Sequence, residues 1–299
     1  MLERRLIVNA DDFGWSEGVN EGIVEAHRNG IVTSATLAAT GPAAEHAVRL
    51  AAENPELGVG VHLAYGLGRS LVEPRRLSAI YHTDGRARFG VIRLWLAVRL
   101  SRVARDQLYQ HFASQVRWLL DHGTTPTHLD THKHLHFCPV IGRMVCRIAE
   151  EFSIPAVRAL RERWWTGGGQ PATRVKLAML SPMVLICNYY IKSSQVASAD
   201  RFVGISWTGS WTKQGLLDIL DRLSPGTTEL MVHPGYACGL ASDETRLTGS
   251  RETELELLTD REVIERCRLR NIRLISYREL SMDRPPHPAS GPSKGRESR

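Results

Sequence analysis

The sequence has few cysteines, and none of them form a CxxC pair. The five are odd in number and widely spaced: Cys138, Cys146, Cys187, Cys238 and Cys267. This distribution excludes a disulfide framework and a zinc knuckle, and it indicates reduced thiols in a cytoplasmic compartment. The first residues contain no apolar run long enough for a signal peptide, which also favours the cytoplasm.

Long hydrophobic runs and the motifs of several common enzyme classes are also absent. The most apolar stretch, residues 175–191, is interrupted by a lysine, a proline and an asparagine, so it is too broken to span a bilayer. The sequence has no P-loop, no GxSxG, no HExxH and no internal repeat. These absences argue against P-loop enzymes, serine hydrolases of the GxSxG type and HExxH metalloproteases.

What is present is an ordinary globular composition with one basic segment. Of the 299 residues, 42% are hydrophobic and 23% are charged, which excludes a disordered, collagen-like or coiled-coil chain. The net charge is +6, and residues 69–105 alone hold nine arginines against two acidic residues. This patch predicts an anionic surface or partner and not a nucleic-acid-binding protein. Residues 91–105 fit either contact with an anionic membrane or an ordinary helix packed by its apolar side.

Strand and helix patterns alternate along the chain. Eight short apolar segments predict strands at 5–9, 33–39, 57–63, 127–130, 156–158, 202–206, 229–232 and 272–275. Helices are expected between them, including one that Ser16 caps and Gly30 ends, others at 106–122, 216–223 and 255–267, and one that Pro139 opens. The alternation predicts a parallel sheet, and the absence of a Gly-rich dinucleotide fingerprint favours a single-domain α/β fold, a (β/α) barrel over residues 1–283. Residues 284–299 predict a disordered tail.

Ionisable residues gather where the predicted strands end. Asp11 and Asp12 follow the first strand, His62 ends the third, residues 127–136 surround the fourth, and His233 follows the seventh. In a (β/α) barrel these strand ends share one rim, which is where active sites are built. Residues far apart in the sequence are therefore expected to converge.

The two adjacent carboxylates are expected to point in different directions, since side chains alternate along a strand. One of Asp11 and Asp12 can then bind a metal while the other faces the substrate as a base. The alternative is that both cap the following helix near its positive N-terminus.

The run THLDTHKHLH, residues 127–136, places five polar residues at positions of one parity: His128, Asp130, His132, His134 and His136. If the strand continued, they would line one face. They cannot all bind one ion, because successive positions on one face are about 6.5–7 Å apart while a metal–nitrogen bond is about 2 Å. The alternative is a solvated loop or a nonspecific metal binder. For His62 and His233, the alternative is a buried core histidine.

Together these residues predict a mononuclear site of one aspartate and two histidines with open positions for water. Such a set suits Zn²⁺, Fe²⁺, Co²⁺ or Mn²⁺, and Mg²⁺ is not excluded. A metal lowers the pKa of bound water and polarises a carbonyl, so hydrolysis of an amide or ester is the expected reaction.

The motifs as a set resemble the YdjC-like carbohydrate deacetylase family. They are IVNADDFG (7–14), GVGVHL (58–63), THLDTHKHLH (127–136) and HPG (233–235), in the same order along nearly the whole chain. The resemblance implies a distorted (β/α) barrel that hydrolyses the N-acetyl group of an amino sugar with metal-activated water. It also implies one divalent metal ion, Zn or Mg with Mn, Co or Fe as alternatives.

The resemblance assigns roles to individual residues. It implies that the metal ligands are Asp12, His62 and His132. Asp11 would be the general base that takes a proton from the attacking water, and His233 would be the acid for the leaving amine.

Further positions follow from the same resemblance. Asp130 would orient a ligand histidine, and His134 would lie beside the ligands or the substrate. The segments 22–37, 156–163 and 199–209 look similar to the branch associated with hopanoid biosynthesis, which implies an N-acetylglucosaminyl hopanoid as substrate. The chain departs from many relatives in reading HPG for HPA and in carrying Lys133 inside the histidine run, which parity should turn away from the site.

Two other functions stay open at this level. One is a different metal hydrolase on the same fold, a glycosidase or a phosphoesterase. The other is a non-catalytic protein that binds a sugar or a lipid. The expected partners are an acetylated amino sugar, lipid-linked in the hopanoid case, and an anionic membrane at residues 69–105 that would keep the protein at the inner membrane face. A homo-oligomer, a lid at 164–200 and a sugar platform at Trp164 and Trp165 are left open.

Overall fold

The computed structural model describes residues 3–162, 169–240, 245 and 247–282. In this part of the chain, seven parallel strands form one sheet: β1 (Arg4–Phe13), β2 (Ser34–Leu37), β3 (Gly58–Leu63), β4 (Leu129–Thr131), β5 (Arg201–Val203), β6 (Gly226–Val232) and β7 (Ile272–Leu274). The sheet order is β4-β3-β2-β1-β6-β5, and β7 pairs with β1. The strands curl into a half-barrel, which confirms the predicted distorted (β/α) barrel as a single domain.

The central strand β1 organises this sheet. It pairs with β6 along most of its length, with β7 at its amino end and with β2 at its carboxyl end. It is buried from Leu6 to Phe13, so most of its polar side chains lie inside the molecule. Strands β2, β3 and β4 follow one another in register on one side of β1.

Residues 156–158, which were predicted to form a strand, do not form one in the structure. Val157 forms a single bridge with Leu129 of β4, and Ala156 forms a single bridge with Ala197, close to the start of β5. The segment bonds to a different neighbour on each side over three residues, so no ladder of consecutive pairs forms. It nevertheless lies between the two edge strands, β4 and β5, and carries Arg158 into the interior. The strand predicted at 202–206 ends early, at Val203, because Gly204 turns the chain with φ of +148°.

Ten helices accompany the described strands. They are α1 (Glu17–Asn29), α2 (Ala44–Glu53), α3 (Val91–Leu100), α4 (Arg102–Asp121), α5 (Pro139–Glu151), α6 (Pro171–Ser193), α7 (Lys213–Asp221), α8 (Gly249–Leu258), α9 (Arg261–Leu269) and α10 (Tyr277–Met282). Ser16 caps α1 as predicted, since its Oγ accepts the N–H of Val19 at 3.1 Å.

Unrecognised caps account for two errors in the predicted helices. The helix predicted at 106–122 begins earlier, at Arg102, because the Oγ of Ser101 accepts the N–H of Ala104. The helix predicted at 255–267 is two helices, because Asp260 accepts the N–H groups of Glu262 and Val263 and starts α9. The apolar stretch at 175–191 lies within α6.

The histidine run does not continue the strand. Strand β4 ends at Thr131, and a 3-10 helix follows over His132–Phe137, interrupted by left-handed backbone at Lys133 (φ 53°) and His134 (φ 51°). The expected alternation of one face therefore stops at His132. Lys133 is exposed, so its side chain is turned away from the interior as expected.

Among the described residues, no helix is long and apolar enough to cross a membrane. The predicted tail at 284–299 and the tryptophans Trp164 and Trp165 lie outside the described residues. Most of the segment 164–200, for which a lid was left open, is helix α6, followed by the chain that leads into β5.

Candidate metal centre

A β-bulge at the end of β1 sets the positions of the two adjacent carboxylates. Ala10 pairs with Ala35 of β2, but Phe13 pairs with Leu37, so two residues of β1 lie opposite one of β2. Asp12 adopts left-handed backbone with φ of 71°. The bulge lets both Asp11 and Asp12 serve the carboxyl end of the sheet while they contact different partners.

Three potential metal ligands meet beside this bulge. The Nε2 atom of His62 lies 3.5 Å from Asp12 Oδ1, and the Nδ1 atom of His132 lies 3.4 Å from the same oxygen. The two histidine nitrogens are 3.3 Å apart. All three residues are buried, and their donor atoms form a nearly equilateral triangle.

This triangle fits one divalent ion. Ligands placed about 2.0–2.1 Å from a tetrahedral ion stand about 3.3–3.4 Å from one another, close to the spacing seen here. Asp11, His62 and Asp130 form a second group within reach of one ion. Arg158 binds both oxygens of Asp11, whereas an arginine binds only Oδ2 of Asp12 and leaves Oδ1 facing the histidines, so the first group is the better metal site.

Asp130 fixes the orientation of His62. Its Oδ1 lies 2.7 Å from His62 Nδ1, which leaves Nε2 directed at the centre of the triangle. Burial alone would lower the pKa of His62, but Asp130 and Asp12 raise it to about 10. The carboxylates around His62 therefore favour positive charge at this place, whether it is a proton or a metal cation.

Asp11 is held by an arginine fork. Arg158 donates from Nη1 to Asp11 Oδ2 at 2.8 Å and from Nη2 to Oδ1 at 2.6 Å, and Asn9 donates to Oδ1 at 3.0 Å. Burial raises the pKa of Asp11, but the guanidinium of Arg158 outweighs it and holds this pKa well below its usual range. Asp11 is therefore ionised at any working pH.

Arg158 also binds two further carboxylates. Its Nη1 lies 2.5 Å from Asp130 Oδ2, and its Nε donates to Glu229 Oε1 at 2.7 Å. Tyr277 donates its hydroxyl to the other oxygen of Glu229. Burial raises the pKa of Glu229 to about 7, although Arg158 opposes this. A single buried cation therefore ties the base candidate Asp11 to the residue that orients His62.

Asp12 has an arginine of its own. Arg251 Nη2 donates to Asp12 Oδ2 at 2.6 Å, while Oδ1 faces the two histidines. The guanidinium lies 5.4 Å from the ring of Trp15, and that ring packs edge-on against His132 at 5.5 Å. Arg251 and Trp15 thus hold two of the three potential ligands in place.

His233 lies one residue beyond the last β1–β6 pair, Ala10 with Val232, and so stands beside Asp11 at the strand ends. Its backbone N–H donates to Glu254 Oε2 at 2.6 Å, and its Nδ1 is buried with no hydrogen-bond partner among the described residues. Burial lowers the pKa of His233 to about 4, so the imidazole is neutral at pH 7. Its ring is available to a bound ligand.

The remaining histidines of the run lie outside the triangle. His128 Nε2 contacts Asn9 Oδ1 at 3.0 Å, and its ring stacks on Tyr277 at 3.7 Å, so it supports the residue that holds Asp11. His136 Nδ1 contacts Thr131 Oγ1 at 2.5 Å. His134 packs edge-on against the rings of Phe137 and Phe202, so the structure does not bring it to the three donor atoms.

Sequence reasoning missed both buried arginines. Arg158 had a signal, because it ends a predicted strand and the rule that selected Asp11 applies to it equally. No such signal marks Arg251, because it lies in a charged stretch of the kind that is typical of a solvent-exposed helix surface. Thr36 was also missed. Its Oγ1 lies 3.1 Å from Asp130 Oδ2 and 3.2 Å from His62 Nδ1, at the centre of the network.

Comparisons with known proteins identify the family of this chain. The family model described as YdjC-like protein matches residues 5–268. A carbohydrate deacetylase of Geobacillus stearothermophilus is 33% identical over 93% of this chain and 99% of its own length. A carbohydrate deacetylase of Brevibacillus brevis is 36% identical over 92% of this chain and 99% of its own length.

A solved structure shows the same fold. It is a crystal structure of an Enterococcus faecalis V583 protein provisionally named for cellobiose-phosphate cleavage. It superposes with a TM-score of 0.75 at 23% identity and covers 93% of this chain and 99% of its own. The family match extends from β1 to α9 and spans the positions of Asp11, Asp12, His62, His132 and His233. The chain therefore belongs to the YdjC-like protein family.

Proposed function

We propose that this protein is a metal-dependent hydrolase that removes the N-acetyl group from an acetylated amino sugar. The observation that carries the proposal is the adjacency of two units. One is the triangle of Asp12, His62 and His132, and the other is the carboxylate of Asp11 in the fork of Arg158. The names of the two bacterial relatives, both carbohydrate deacetylases, support the choice of substrate class.

Asp12, His62 and His132 would hold the metal. A divalent ion bound there supplies a Lewis acid that lowers the pKa of water and polarises the amide carbonyl. Zinc and magnesium are the leading candidates, with manganese, cobalt and iron as alternatives. Two imidazole nitrogens and one carboxylate oxygen favour zinc or another transition metal over magnesium.

Asp11 would act as the general base. Arg158 keeps its carboxylate ionised and fixes its plane with two parallel hydrogen bonds. Asp11 then takes the proton of the attacking water. The lone pairs that Arg158 and Asn9 leave free are the ones available for that proton.

His233 would protonate the leaving amine. Because its pKa is lowered to about 4, it begins neutral and must gain a proton during the reaction before it can donate one. The negative charges of Asp12 and Asp11 favour the protonated ring, although burial opposes it.

Asp130 would orient His62 through the 2.7 Å contact with Nδ1, as described above. His134 would serve the substrate and not the metal. Its ring packs edge-on against Phe137 and Phe202. This position suits a residue that lines the substrate site better than a residue that binds the metal.

The sugar would be linked to a lipid, specifically as an N-acetylglucosaminyl hopanoid. The resemblance of segments 22–37, 156–163 and 199–209 to the hopanoid-associated branch is the basis of this step. A cavity of about 1070 Å³ beside α6 supports a lipid-linked substrate, because many of its wall residues are apolar, among them Phe137, Leu160, Leu177, Val184 and Ile205. Phe137 joins this cavity to His134 through their ring contact.

The test is acetate release from glycans and glycolipids that contain N-acetylglucosamine, measured with and without a chelator. We expect chelator-sensitive release that falls by about 10²–10⁴-fold in Asp11→Asn while the metal stays bound. Release of reducing sugar or phosphate instead of acetate would overturn the proposal in favour of another hydrolase. Sugar or lipid binding that survives both chelation and Asp11→Asn, without any release, would indicate a binding protein. Acetate from glycans but not from hopanoid glycolipids would overturn the lipid assignment alone.

A further inference from the structure

Helix α3 exposes an apolar stripe. Ile92 and Leu100 are 71% and 82% exposed, and Leu96 between them is also exposed, while Leu94 and Val98 on the opposite side are buried. Positions four apart lie on one helical face, so the three exposed residues form a continuous row. A helix that packs its inner side and still presents such a row to solvent is typical of a contact surface.

Helix α6 exposes a longer stripe of the same kind. Met179 and Tyr189 are 76% and 68% exposed, and Val175, Leu185 and Ile186 are exposed with them. Their spacing follows one side of the helix, while Leu177, Cys187 and Ile191 are buried on the other. We call the exposed apolar residues of the two helices the α3–α6 face.

This face carries only positive charge. Neither α3 nor α6 contains an aspartate or a glutamate. Arg93 and Arg99 are exposed on α3 and, at 100° per residue, they border the apolar row on its two sides. Lys176 and Lys192 are exposed near the two ends of α6. The face also belongs in part to the segment 69–105, which holds nine arginines.

The two helices lie beside the candidate centre. Both contact the 3-10 turn His132–Phe137, which carries one of the metal ligands. Trp95 of α3 and Leu177, Leu180 and Val184 of α6 pack into one cluster with Phe137. Both helices that carry the α3–α6 face are therefore packed against the turn that holds His132.

We propose that the α3–α6 face docks the protein on an anionic lipid bilayer, with the helices lying in the interfacial plane. Apolar side chains bordered by arginines and lysines, with no acidic residue, match a surface of acyl chains beneath negatively charged headgroups. A second copy of this chain fits less well, because a two-fold contact would bring the same cations against each other. The docking does not rest on the proposed catalysis, since it requires neither the metal nor turnover.

Vesicle co-sedimentation tests the proposal with the full chain. We expect binding to vesicles of phosphatidylcholine with phosphatidylglycerol, and little binding to phosphatidylcholine alone. Leu96→Glu and Met179→Glu should each lower the partition coefficient at least tenfold. Each variant removes apolar area that the bilayer would bury and adds a negative charge that the anionic headgroups repel. Leu269→Glu is the matched control, since Leu269 is 69% exposed on α9, away from this face, and its substitution should leave binding unchanged.

A second set of variants tests the charges. Arg93→Gln and Arg99→Gln should each weaken binding about fivefold at low salt, and added salt should weaken the wild type. The control is Arg268→Gln, an exposed arginine of α9. Failure to bind anionic vesicles, or binding that the α3–α6 variants do not change, would overturn the proposal. So would a solution dimer that Met179→Glu converts to monomer, because the face would then be covered by a second copy.

Discussion

Arg158 donates hydrogen bonds to both carboxylate oxygens of Asp11, at 2.8 and 2.6 Å. Both residues are buried, and the arginine is shared with Asp130 and Glu229. Placing a cation here is costly unless it is fully paired, so its three partners are what make the arrangement stable. The geometry of Asp11, the proposed base, thus depends on a fully buried residue.

Replacing Arg158 by lysine should keep the charge and lose the fork, because an ammonium cannot present two parallel donors. We expect kcat for acetate release to fall by about 10–100-fold while KM and metal content stay near the wild-type values. Steady-state kinetics together with metal analysis measure this. Arg266→Lys, which alters a surface ion pair with Asp221, is the control and should change neither. A wild-type kcat in Arg158→Lys would show that the fork does not position the base.

Removing either of two histidines of the same run should have different effects on metal affinity. His132→Ala takes one corner from the donor triangle, so we expect metal affinity to fall below detection by calorimetric titration. His134→Ala removes a ring that packs on Phe137 and Phe202, and we expect metal affinity to remain within about twofold of the wild type, less than changes near a metal usually cause. If both variants lost the metal equally, the assignment of the triangle would be wrong.

The parallel sheet and the convergence of Asp11, Asp12, His62 and His233 on one edge could be predicted from the sequence, because parallel strands end together and carry their last residues to the same rim. The parity argument for the histidine run failed beyond His132, since left-handed backbone at Lys133 and His134 breaks the alternation. The contacts of Arg251 could not be predicted, because its helix reaches the centre only through tertiary packing.

Gly60 provides the space that His128 occupies. A Cβ at this position would lie 2.5 Å from the His128 ring and 2.6 Å from its carbonyl oxygen. We therefore expect Gly60→Ala to lower the free energy of unfolding by about 1–3 kcal/mol, as overpacking does elsewhere. Urea denaturation measures this change in the free energy of unfolding. Gly90→Ala meets no atom within 4 Å and should change the stability little. Equal stabilities of the two variants would contradict the close approach.

The buried His111 should make stability depend on pH. It contacts the Ala64 carbonyl and the Tyr81 hydroxyl, and burial lowers its pKa to about 4. Between pH 6.5 and 4 the unfolded chain binds a proton at this residue that the folded protein does not. Its contribution to stability is therefore complete above pH 6.5 and is lost as the pH falls towards 4, by about 3 kcal/mol in all.

Urea denaturation at pH 7.5, 6 and 4.5 compares the wild type with His111→Gln, which cannot be protonated. We expect the variant to be less stable at pH 7.5, because it loses hydrogen bonds, but to lose less stability on acidification. Parallel pH profiles of the two proteins would show that His111 does not contribute to the acid sensitivity.

The bulge at the end of β1 has a consequence for how this site can change. Two consecutive residues depend on two different arginines, Asp11 on Arg158 and Asp12 on Arg251, and Arg158 also binds Asp130, the partner of His62. A substitution of Arg251 therefore leaves the partners of Asp11 in place, whereas a substitution of Arg158 disturbs both Asp11 and the residue that orients His62. Under the proposed mechanism, changes at Arg251 could thus retune the affinity for the ion while the surroundings of the proposed base stay as they are.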